Sequence, residues 1–277
     1  MRNENIIEPQ NQQSCQTSVM VSADLINKIR NEDCLSTLQL LPNGSVDLLL
    51  QDTPFGCTQN DWDIKPDLSK MWTEWERVTK YNGAMIFFAT QPFASELILS
   101  NIKNFRYDII WEKSRPSGFL NANKMPLRSH EIILIFYRSL PTYNAQMRKG
   151  KPNHVKNGSM SKKTVNNNYG DFGQTIQYAT YDKHPTSVIY FEQQDPNKIN
   201  HPTEKPIDLI RWLVCSYSNE NDLVFDGYMG SGTTAVASII ENRRFIGSEL
   251  NKKYFDKATK RIDYEKSKLS LFAVSEH

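Results

Sequence analysis

The feature that most constrains the fold of this chain is the alternation of short apolar strands with amphipathic helices. The runs Val46–Leu50 and Ala84–Ala89 are apolar except at Asp47, which is typical of strands buried on both faces. Residues 68–78, 93–99 and 207–217 instead place apolar side chains at helical spacing. This alternation predicts an α/β fold in which helices cover both faces of a mostly parallel sheet.

Further elements continue the pattern toward the C-terminus. The pair Asn82-Gly83 predicts a turn before the strand at 84–89. Short apolar runs predict strands at 107–111, 131–137, 223–226 and 244–248, and helical spacing predicts helices at 233–240 and from Lys252 onward.

Two segments depart from the alternation. Residues 1–22 lack any hydrophobic period and are rich in Asn and Gln, which predicts a flexible N-terminal extension. Residues 139–200 are polar, contain Gly, Asn, Ser and Lys, and show no helical pattern. The chain is therefore interpreted as one domain at 23–277 with an insert at 139–200.

A glycine-containing loop joins the predicted strand at 223–226 to the following helix. Gly230 and Gly232 lie in this loop, where residues without Cβ let the backbone turn freely and approach a ligand closely. Asp226 ends the strand at the edge where open α/β sheets bind ligands, and Glu249 follows at a spacing suited to ribose hydroxyls. The loop also fits the dinucleotide fingerprint, so it predicts a nucleoside-containing cofactor without choosing among them.

The tetrapeptide Asp52-Thr53-Pro54-Phe55 follows the strand at 46–50. Asp and Pro favour turns, so a surface turn is one interpretation. The same groups suit an exocyclic amine of a nucleobase, whose delocalised lone pair makes the nitrogen a poor nucleophile. Asp52 and the Thr53 carbonyl can accept the amine hydrogens and stabilise the developing positive charge. Pro54 holds Thr53 extended, and Phe55 can stack on the base, which must be flipped out of a duplex to arrive there.

Together these motifs resemble the amino-group DNA methyltransferases of the permuted β group, in which the catalytic motif precedes the cofactor motif. Asn31–Cys34, His201–Pro206 and Gly247–Leu250 match further segments of that family, so the resemblance runs from about residue 28 to 265. It implies a Rossmann-like methyltransferase fold with a seven-stranded, mostly parallel sheet. It also implies a phage or restriction-modification enzyme that methylates adenine N6 in DNA without a covalent enzyme intermediate.

The resemblance assigns a role to each matching residue. Asp226, the glycine loop and Thr233 line the methionine part of S-adenosylmethionine, and Glu249 holds its ribose. Asp33 lies near the adenine of the cofactor, and Thr203 and Lys205 close over its carboxylate end. The implied cofactor-binding residues are Asp33, Thr203, Lys205, Asp226, Gly230, Gly232, Thr233 and Glu249, and the implied catalytic residues are Asp52, Thr53, Pro54 and Phe55.

The chain departs from the family motifs at two places. Thr53 replaces the usual first Pro of the catalytic motif, which keeps the acceptor carbonyl but loosens the backbone. Gly227 and Tyr228 replace the usual Pro-Phe of the cofactor motif, so the aromatic ring is kept and the chain gains freedom. Neither change removes a group that the reaction requires.

A basic stretch without acidic residues lies within the predicted insert. No Asp or Glu occurs between Glu131 and Asp171, which is typical of a segment that contacts phosphates. The resemblance places target recognition in this interval. The residues expected to contact DNA are Arg148, Lys149, Lys151, Lys156, Lys162 and Lys163.

Composition and spacing exclude several other classes. The four cysteines form no C-x-x-C pair, so no zinc or redox site is signalled, and we expect no metal. No apolar run approaches the ~20 residues of a membrane span, and the polar start lacks a signal-peptide core, which predicts a soluble bacterial or phage-encoded protein of the cytoplasm. No Cys follows Pro, which excludes the usual cytosine-C5 nucleophile.

Other functions remain open at this point. A cytosine-N4 methyltransferase would share the same fold, and a DNA-binding module without turnover would share most of the motifs. A dinucleotide-dependent oxidoreductase fits the glycine loop alone. The near-balanced formal charge of +2 does not by itself indicate a polyanion partner. A homodimer is compatible with the motifs, which identify neither a restriction partner nor a recognition sequence.

Overall fold

A computed structural model of the chain describes residues 20–56, 65–152, 157–161, 164–166, 170–172, 174–178, 180–194 and 204–274. The described residues before 137 contain β1 (Lys28–Arg30), α1 (Cys34–Gln39), β2 (Val46–Gln51), α2 (Leu68–Val78), β3 (Thr79–Ala89), α3 (Phe93–Ser100), β4 (Phe105–Ser117), a 3₁₀ turn (Phe119–Asn121) and β5 (Arg128–Phe136).

The remaining elements fall into two groups. Short strands follow β5 in the predicted insert: β6 (Arg148–Lys149), β7 (Ser159–Met160), β8 (Thr164–Asn166), β9 (Gly170–Phe172), β10 (Ile176–Gln177) and β11 (Asp182–Lys183). Longer elements complete the chain: β12 (Val188–Phe191), α4 (Ile207–Tyr217), β13 (Leu223–Asp226), α5 (Thr233–Ile240), β14 (Arg244–Ser248) and α6 (Lys252–Val274).

Eight strands form the main sheet, in the order β1-β14-β13-β2-β3-β5-β4-β12. Strand β5 pairs antiparallel with both of its neighbours, and every other pairing in this sheet is parallel. Seven strands therefore end at one edge of the sheet, whereas β5 begins there. The small strands of the insert pair in twos, β6 with β11, β7 with β10 and β8 with β9.

Side chains alternate along the central strands between two cores on opposite faces of the sheet. In β3, Met85 and Phe87 pack toward α1, α2 and α3, while Ile86 and Phe88 pack toward α4 and α5. Both sets are fully buried, because the flanking strands and helices leave neither face of β3 open to water. The continuous apolar runs of the sequence are the consequence of this double burial.

Helix α2 shows how local signals and packing agree. It begins after Asp67, whose side chain accepts hydrogen bonds from the Ser69 and Lys70 backbone nitrogens at 3.1 and 3.3 Å. This cap satisfies amide groups that have no partner within the helix. The apolar stripe then buries Trp72 and Trp75 against Phe87 of β3, with ring centroids 5.2 and 4.7 Å apart respectively.

The structure confirms most of the predicted elements and corrects four details. The helices predicted at 68–78, 207–217 and 233–240 have the expected bounds, and α6 begins at Lys252. Within the described residues the main sheet has eight strands, where the resemblance implied seven. The short edge strands β1 and β12 join the six strands that the apolar runs predict. Strand β12 also lies within residues 139–200, so the end of the expected insert belongs to the main sheet.

The remaining two corrections concern local conformation. Asn82 and Gly83 lie within β3 and form no turn. A Cβ at Gly83 would lie 2.8 Å from the Asp47 carbonyl oxygen, so glycine permits the close approach of β2 at an irregular point of the pairing. The insert also contains short strands, which its sequence did not predict.

Among the described residues, no helix combines the length and the apolar character that crossing a membrane requires.

We expect Phe87→Ala to lower the free energy of unfolding by about 3–5 kcal/mol, because it opens a cavity between α2 and the sheet. Phe119→Ala is the matched control, since the Phe119 side chain is 80% exposed and its loss should change stability by less than about 0.5 kcal/mol. Urea denaturation of both variants measures the difference. Equal losses would contradict the described core.

Candidate active site

The two principal motifs meet at the edge where the parallel strands end. Strands β2 and β13 are neighbours, so Asp52, directly after β2, lies beside Asp226, the last residue of β13. The buried Gln51 side chain joins the two segments: its Nε2 donates to the Phe225 carbonyl at 3.0 Å, and its Oε1 accepts from the Gly227 nitrogen at 3.2 Å. The amide therefore fixes the catalytic and cofactor segments relative to each other.

The glycine loop after β13 curves around the end of β14. The Gly230 nitrogen donates to Glu249 Oε2 at 2.8 Å, and the Met229 nitrogen donates to the Ser248 carbonyl at 2.9 Å. Gly230 and Gly232 have φ angles of +54° and +83°, which favour glycine. The loop thus brings the expected cofactor residues Asp226, Gly230, Gly232, Thr233 and Glu249 together.

The two glycines serve different purposes. A Cβ at Gly230 would meet only the Tyr228 carbonyl oxygen, at 3.9 Å, so the space beside this residue is open. A Cβ at Gly232 would lie 3.1 Å from the Ala258 Cβ of α6. We attribute the requirement for glycine at position 232 to its left-handed φ and to the packing of α6, rather than to ligand approach.

Carboxylates surround the glycine loop. Burial raises the pKa of Asp226 to about 7, reinforced by the charges of Asp52 and Glu249 and opposed by hydrogen bonds from Thr234 and from the Tyr228 nitrogen. Burial also raises the pKa of Glu249, against the Asn251 and Gly230 backbone nitrogens. None of the contacts just described brings a cation to Asp226 or Glu249. A positively charged ligand would therefore stabilise the ionised forms of these two carboxyl groups.

Asp33, expected near the adenine of the cofactor, caps helix α1. Its carboxylate accepts a hydrogen bond from the Leu35 nitrogen at 2.8 Å. Its charge contributes to the raised pKa of Cys34 and of Tyr228, and in both cases burial is the larger cause. Asp33 therefore lies on the same side of the sheet edge as the glycine loop.

A buried ammonium group holds Asp52 in place. Lys205 Nζ lies 2.9 Å from Asp52 Oδ1 and 2.8 Å from Oδ2, and it also lies 3.2 Å from Glu131 Oε2. Glu131 in turn pairs with Lys113, whose Nζ lies 3.5 Å from Glu131 Oε1. Two carboxylates and two ammonium groups from β2, β4, β5 and the segment before α4 thus form one ion network.

The network sets the protonation of its members. Burial raises the pKa of Asp52, against the lowering effect of Lys205 and with a smaller contribution from Glu131. Burial acts on Glu131 as well, but the two ammonium groups outweigh it and lower the pKa of Glu131. The paired carboxylates likewise outweigh burial at Lys205 and raise its pKa. Lys205 is therefore held charged beside both carboxylates.

The rest of the expected catalytic segment is partly enclosed. The Phe55 and Phe93 rings stack with centroids 5.5 Å apart and an interplanar angle of 28°. Thr53 is 2% exposed, and its Oγ1 has no hydrogen-bond partner within the described part of the chain. Pro54 and Phe55 retain partial exposure, so the aromatic ring that follows Asp52 in the chain is not fully enclosed.

The expected DNA-contacting residues are only partly described. Arg148 and Lys149 form β6, and with Lys151 they are exposed. Lys149 pairs with Asp182 of β11, so its charge is partly balanced on the surface. Lys156, Lys162, Lys163 and the expected cofactor residue Thr203 lie outside the described residues.

Sequence reasoning missed Gln51, Lys113 and Glu131, and it gave Lys205 a different partner. The resemblance implied that Lys205 closes over the carboxylate end of the cofactor, whereas in the structure it pairs with Asp52 and Glu131. Glu131 is at the start of β5, and a strand's start reaches this edge only because β5 is antiparallel. Glu131 is visible in the sequence as the acidic residue after His130. Its place at this edge follows only from the antiparallel direction of β5.

Comparison with solved structures defines the class of the fold. The chain resembles the M1.HpyAVI–SAM complex with a TM-score of 0.57 and 24% identity, over 84% of this chain and 98% of that one. It also resembles the PvuII cytosine-N4-specific DNA methyltransferase with a TM-score of 0.59 and 15% identity, over 84% of each chain. The fold is that of S-adenosylmethionine-dependent methyltransferases.

Sequence comparison then gives the family. The sequence model of the N6/N4 methyltransferase family, described as DNA methylase, matches residues 46–260. Type II methyltransferase M1.MboII of Moraxella bovis is 27% identical over 84% of this chain and 95% of its own length. DNA adenine methyltransferase YhdJ of Escherichia coli is 29% identical over 83% of this chain and 81% of its own length. The chain belongs to the N6/N4 DNA methylase family.

The buried carboxyl group of Asp226 makes a testable contribution to stability. Because folding raises its pKa from 3.8 to about 7, the folded state favours the protonated form, and stability is lost as the pH rises through that window. Relative to the wild type, Asp226→Asn should therefore gain up to about 4 kcal/mol between pH 4 and pH 8. Urea denaturation of both proteins at the two pH values measures this gain, and parallel pH profiles would contradict it.

Proposed function

We propose that this chain transfers a methyl group from S-adenosylmethionine to N6 of an adenine flipped out of duplex DNA, by direct attack of the amine. The observation that carries the proposal is the position of Asp52: its carboxylate is held by Lys205 directly after β2, beside the acid-lined glycine loop. An ionised carboxylate only accepts hydrogen bonds, which suits an exocyclic amine.

The cofactor site fits this proposal on chemical grounds. S-adenosylmethionine carries a sulfonium and an ammonium group, and Asp226 and Glu249 offer buried carboxylates whose pKa values burial raises. The open space beside Gly230 leaves backbone available to a ligand. We propose that Asp33, Asp226, Glu249 and the glycine loop hold the cofactor, which supplies an electrophilic methyl group when bound.

Residues of the chain then account for activation of the amine. Asp52 accepts one amine hydrogen and the Thr53 carbonyl accepts the other, so the nitrogen lone pair becomes available as the nitrogen–carbon bond forms. The positive charge that develops lies beside the Asp52 carboxylate, which is the base nearest to the proton that leaves. Lys205 keeps this carboxylate ionised and oriented. Glu131, which also pairs with Lys113, holds the Lys205 ammonium group in its position beside Asp52.

The adenine assignment draws on the relatives as well as on Asp52. The similarity to YhdJ, a DNA adenine methyltransferase, extends over most of both chains, whereas the similarity to the cytosine-N4-specific enzyme is structural at 15% identity. A cytosine-N4 activity on the same fold is the second candidate, since cytosine N4 offers the same hydrogens to Asp52. We further propose that Arg148, Lys149, Lys151 and the lysines beyond them contact DNA phosphates.

Nucleoside mass spectrometry of DNA incubated with the protein and S-adenosylmethionine tests the product, which we expect to be N6-methyladenine. Asp52→Ala should lower methyl transfer by at least about 10²–10³-fold, because it removes a preorganised charge at the reacting amine, and should retain cofactor binding in calorimetry. Asp108→Ala, which removes an exposed carboxylate of β4, is the matched control. N4-methylcytosine as the product would contradict the adenine assignment, and an active Asp52→Ala protein would contradict the role proposed for Asp52.

The ion network predicts shifts of the pH profile in opposite directions. Asp52 must be ionised to accept a hydrogen, so the rate should fall as the pH drops through its raised pKa. Glu131→Gln removes a nearby negative charge and should move this acid limb to lower pH. Lys205→Gln removes the cation and should move the limb to higher pH.

Single-turnover rates across the pH range measure these shifts. Glu112→Gln, an exposed neighbour on β4, should leave the profile of the wild type unchanged. Shifts of both network variants in the same direction would show that Glu131 and Lys205 do not act on Asp52 through charge.

A further inference from the structure

A segment of the chain outside the assigned motifs projects from the edge of the sheet that carries the site. Residues 115–130 comprise the end of β4, the connection at 118–127 and the start of β5, and all sixteen are exposed. We call this segment the β4–β5 tip. It is an ordered turn: the Asn121 nitrogen donates to the Gly118 carbonyl at 2.9 Å, and the Met125 nitrogen donates to the Asn121 carbonyl at 3.0 Å.

The tip presents large apolar side chains to water. Leu120 is 96% exposed and Phe119 80% exposed, with Met125 and Leu127 at 58% and 38%. Single exposed apolar residues are ordinary, but several on one short turn are typical of a surface that binds a partner. Phe119 and Leu120 belong to the 3₁₀ turn itself, which begins after Gly118 at a φ of +90°. The backbone therefore fixes where these two side chains project.

The charge of the tip identifies the chemistry of that partner. No acidic residue lies between Glu112 and Glu131, whereas Arg115, Lys124 and Arg128 lie in the same interval. A nucleic acid has charged phosphates on its outside and stacked bases inside. The cations of the tip can contact the phosphates, and its apolar side chains can contact the bases.

The base of the tip is attached to the catalytic network. Lys113 Nζ donates to Ser117 Oγ at 3.2 Å and lies 3.5 Å from Glu131, which shares Lys205 with Asp52. Arg128, at the other end of the tip, contacts the Thr90 hydroxyl just after β3. The tip therefore rises over the sheet edge within two strands of Asp52.

We propose that the β4–β5 tip enters the DNA beside the target base and that Leu120, assisted by Phe119, occupies the space the flipped base leaves in the stack. The proposal rests on the proposed base flipping. An apolar side chain between base pairs replaces part of the stacking that the departing base gives up. The surrounding cations hold the backbone on either side, and the link through Lys113 keeps the wedge in register with Asp52.

The test uses the full chain, Leu120→Ala and Phe119→Ala, and a short duplex containing a site that the wild type methylates. In one duplex the target base is correctly paired, and in a second it faces a mismatched base. Because a mismatch lowers the cost of flipping, a wedge matters less there. We expect Leu120→Ala to lower the methylation rate about tenfold on the paired duplex and less than about threefold on the mismatched one.

Leu99→Ala is the matched control, since Leu99 of α3 is 75% exposed and should behave as the wild type on both duplexes. Cofactor affinity and thermal stability of all variants should be unchanged. Unaffected methylation of the paired duplex, or equal losses on both duplexes, would overturn the wedge. A change of solution mass in Phe119→Ala or Leu120→Ala would also overturn it, by assigning the surface to a second copy of the chain. Failure to find any duplex DNA that the wild type methylates would instead contradict the proposed function.

Discussion

The site depends above all on one buried cation that two carboxylates share. Lys205 pairs with Asp52 and with Glu131, and removing it would leave two negative charges facing each other in a poorly solvated place. Such a pair is unfavourable unless one member is protonated, and a protonated Asp52 could no longer act as a pure acceptor. The ammonium therefore maintains the charge state that the proposed amine activation requires, and Lys113 balances the second carboxylate. Four residues from distant parts of the sequence form one electrostatic unit.

A second constraint is mechanical rather than electrostatic. Gln51 has no exposed surface, and its amide bonds to Phe225 and Gly227 across the boundary between β2 and β13. A carbonyl and a backbone nitrogen at the end of β13 are thereby satisfied by a single side chain of β2. The segment that carries Asp52 and the loop that carries Gly230 cannot shift independently, so the distance between the two halves of the site is fixed by the central pair of strands.

The sequence predicted those parts of the molecule whose signals are local. The period of residues 68–78 and of 207–217 identified α2 and α4 with their bounds, and continuous apolar runs identified the double burial of β2, β3 and β13. Asp52 and Asp226 were found because each follows or ends such a strand. The edge strands β1 and β12 are too short and too exposed for a clear pattern. The role of Glu131 depends on the direction of β5, which the residues of that strand do not encode.

The position of β13 in the sheet also bears on how the molecule is made. This strand lies between β2 and β14, and the N-terminal strand β1 pairs with β14, so the last quarter of the chain supplies the two strands that separate β1 from β2. The Gln51 contact with Phe225 spans 174 positions. Contacts at such separation form late, because the entropy of closing the intervening chain must first be overcome. A ribosome-bound fragment ending before residue 223 lacks β13 and β14, so the segment that carries Asp52 gains the neighbouring glycine loop only when synthesis is nearly complete.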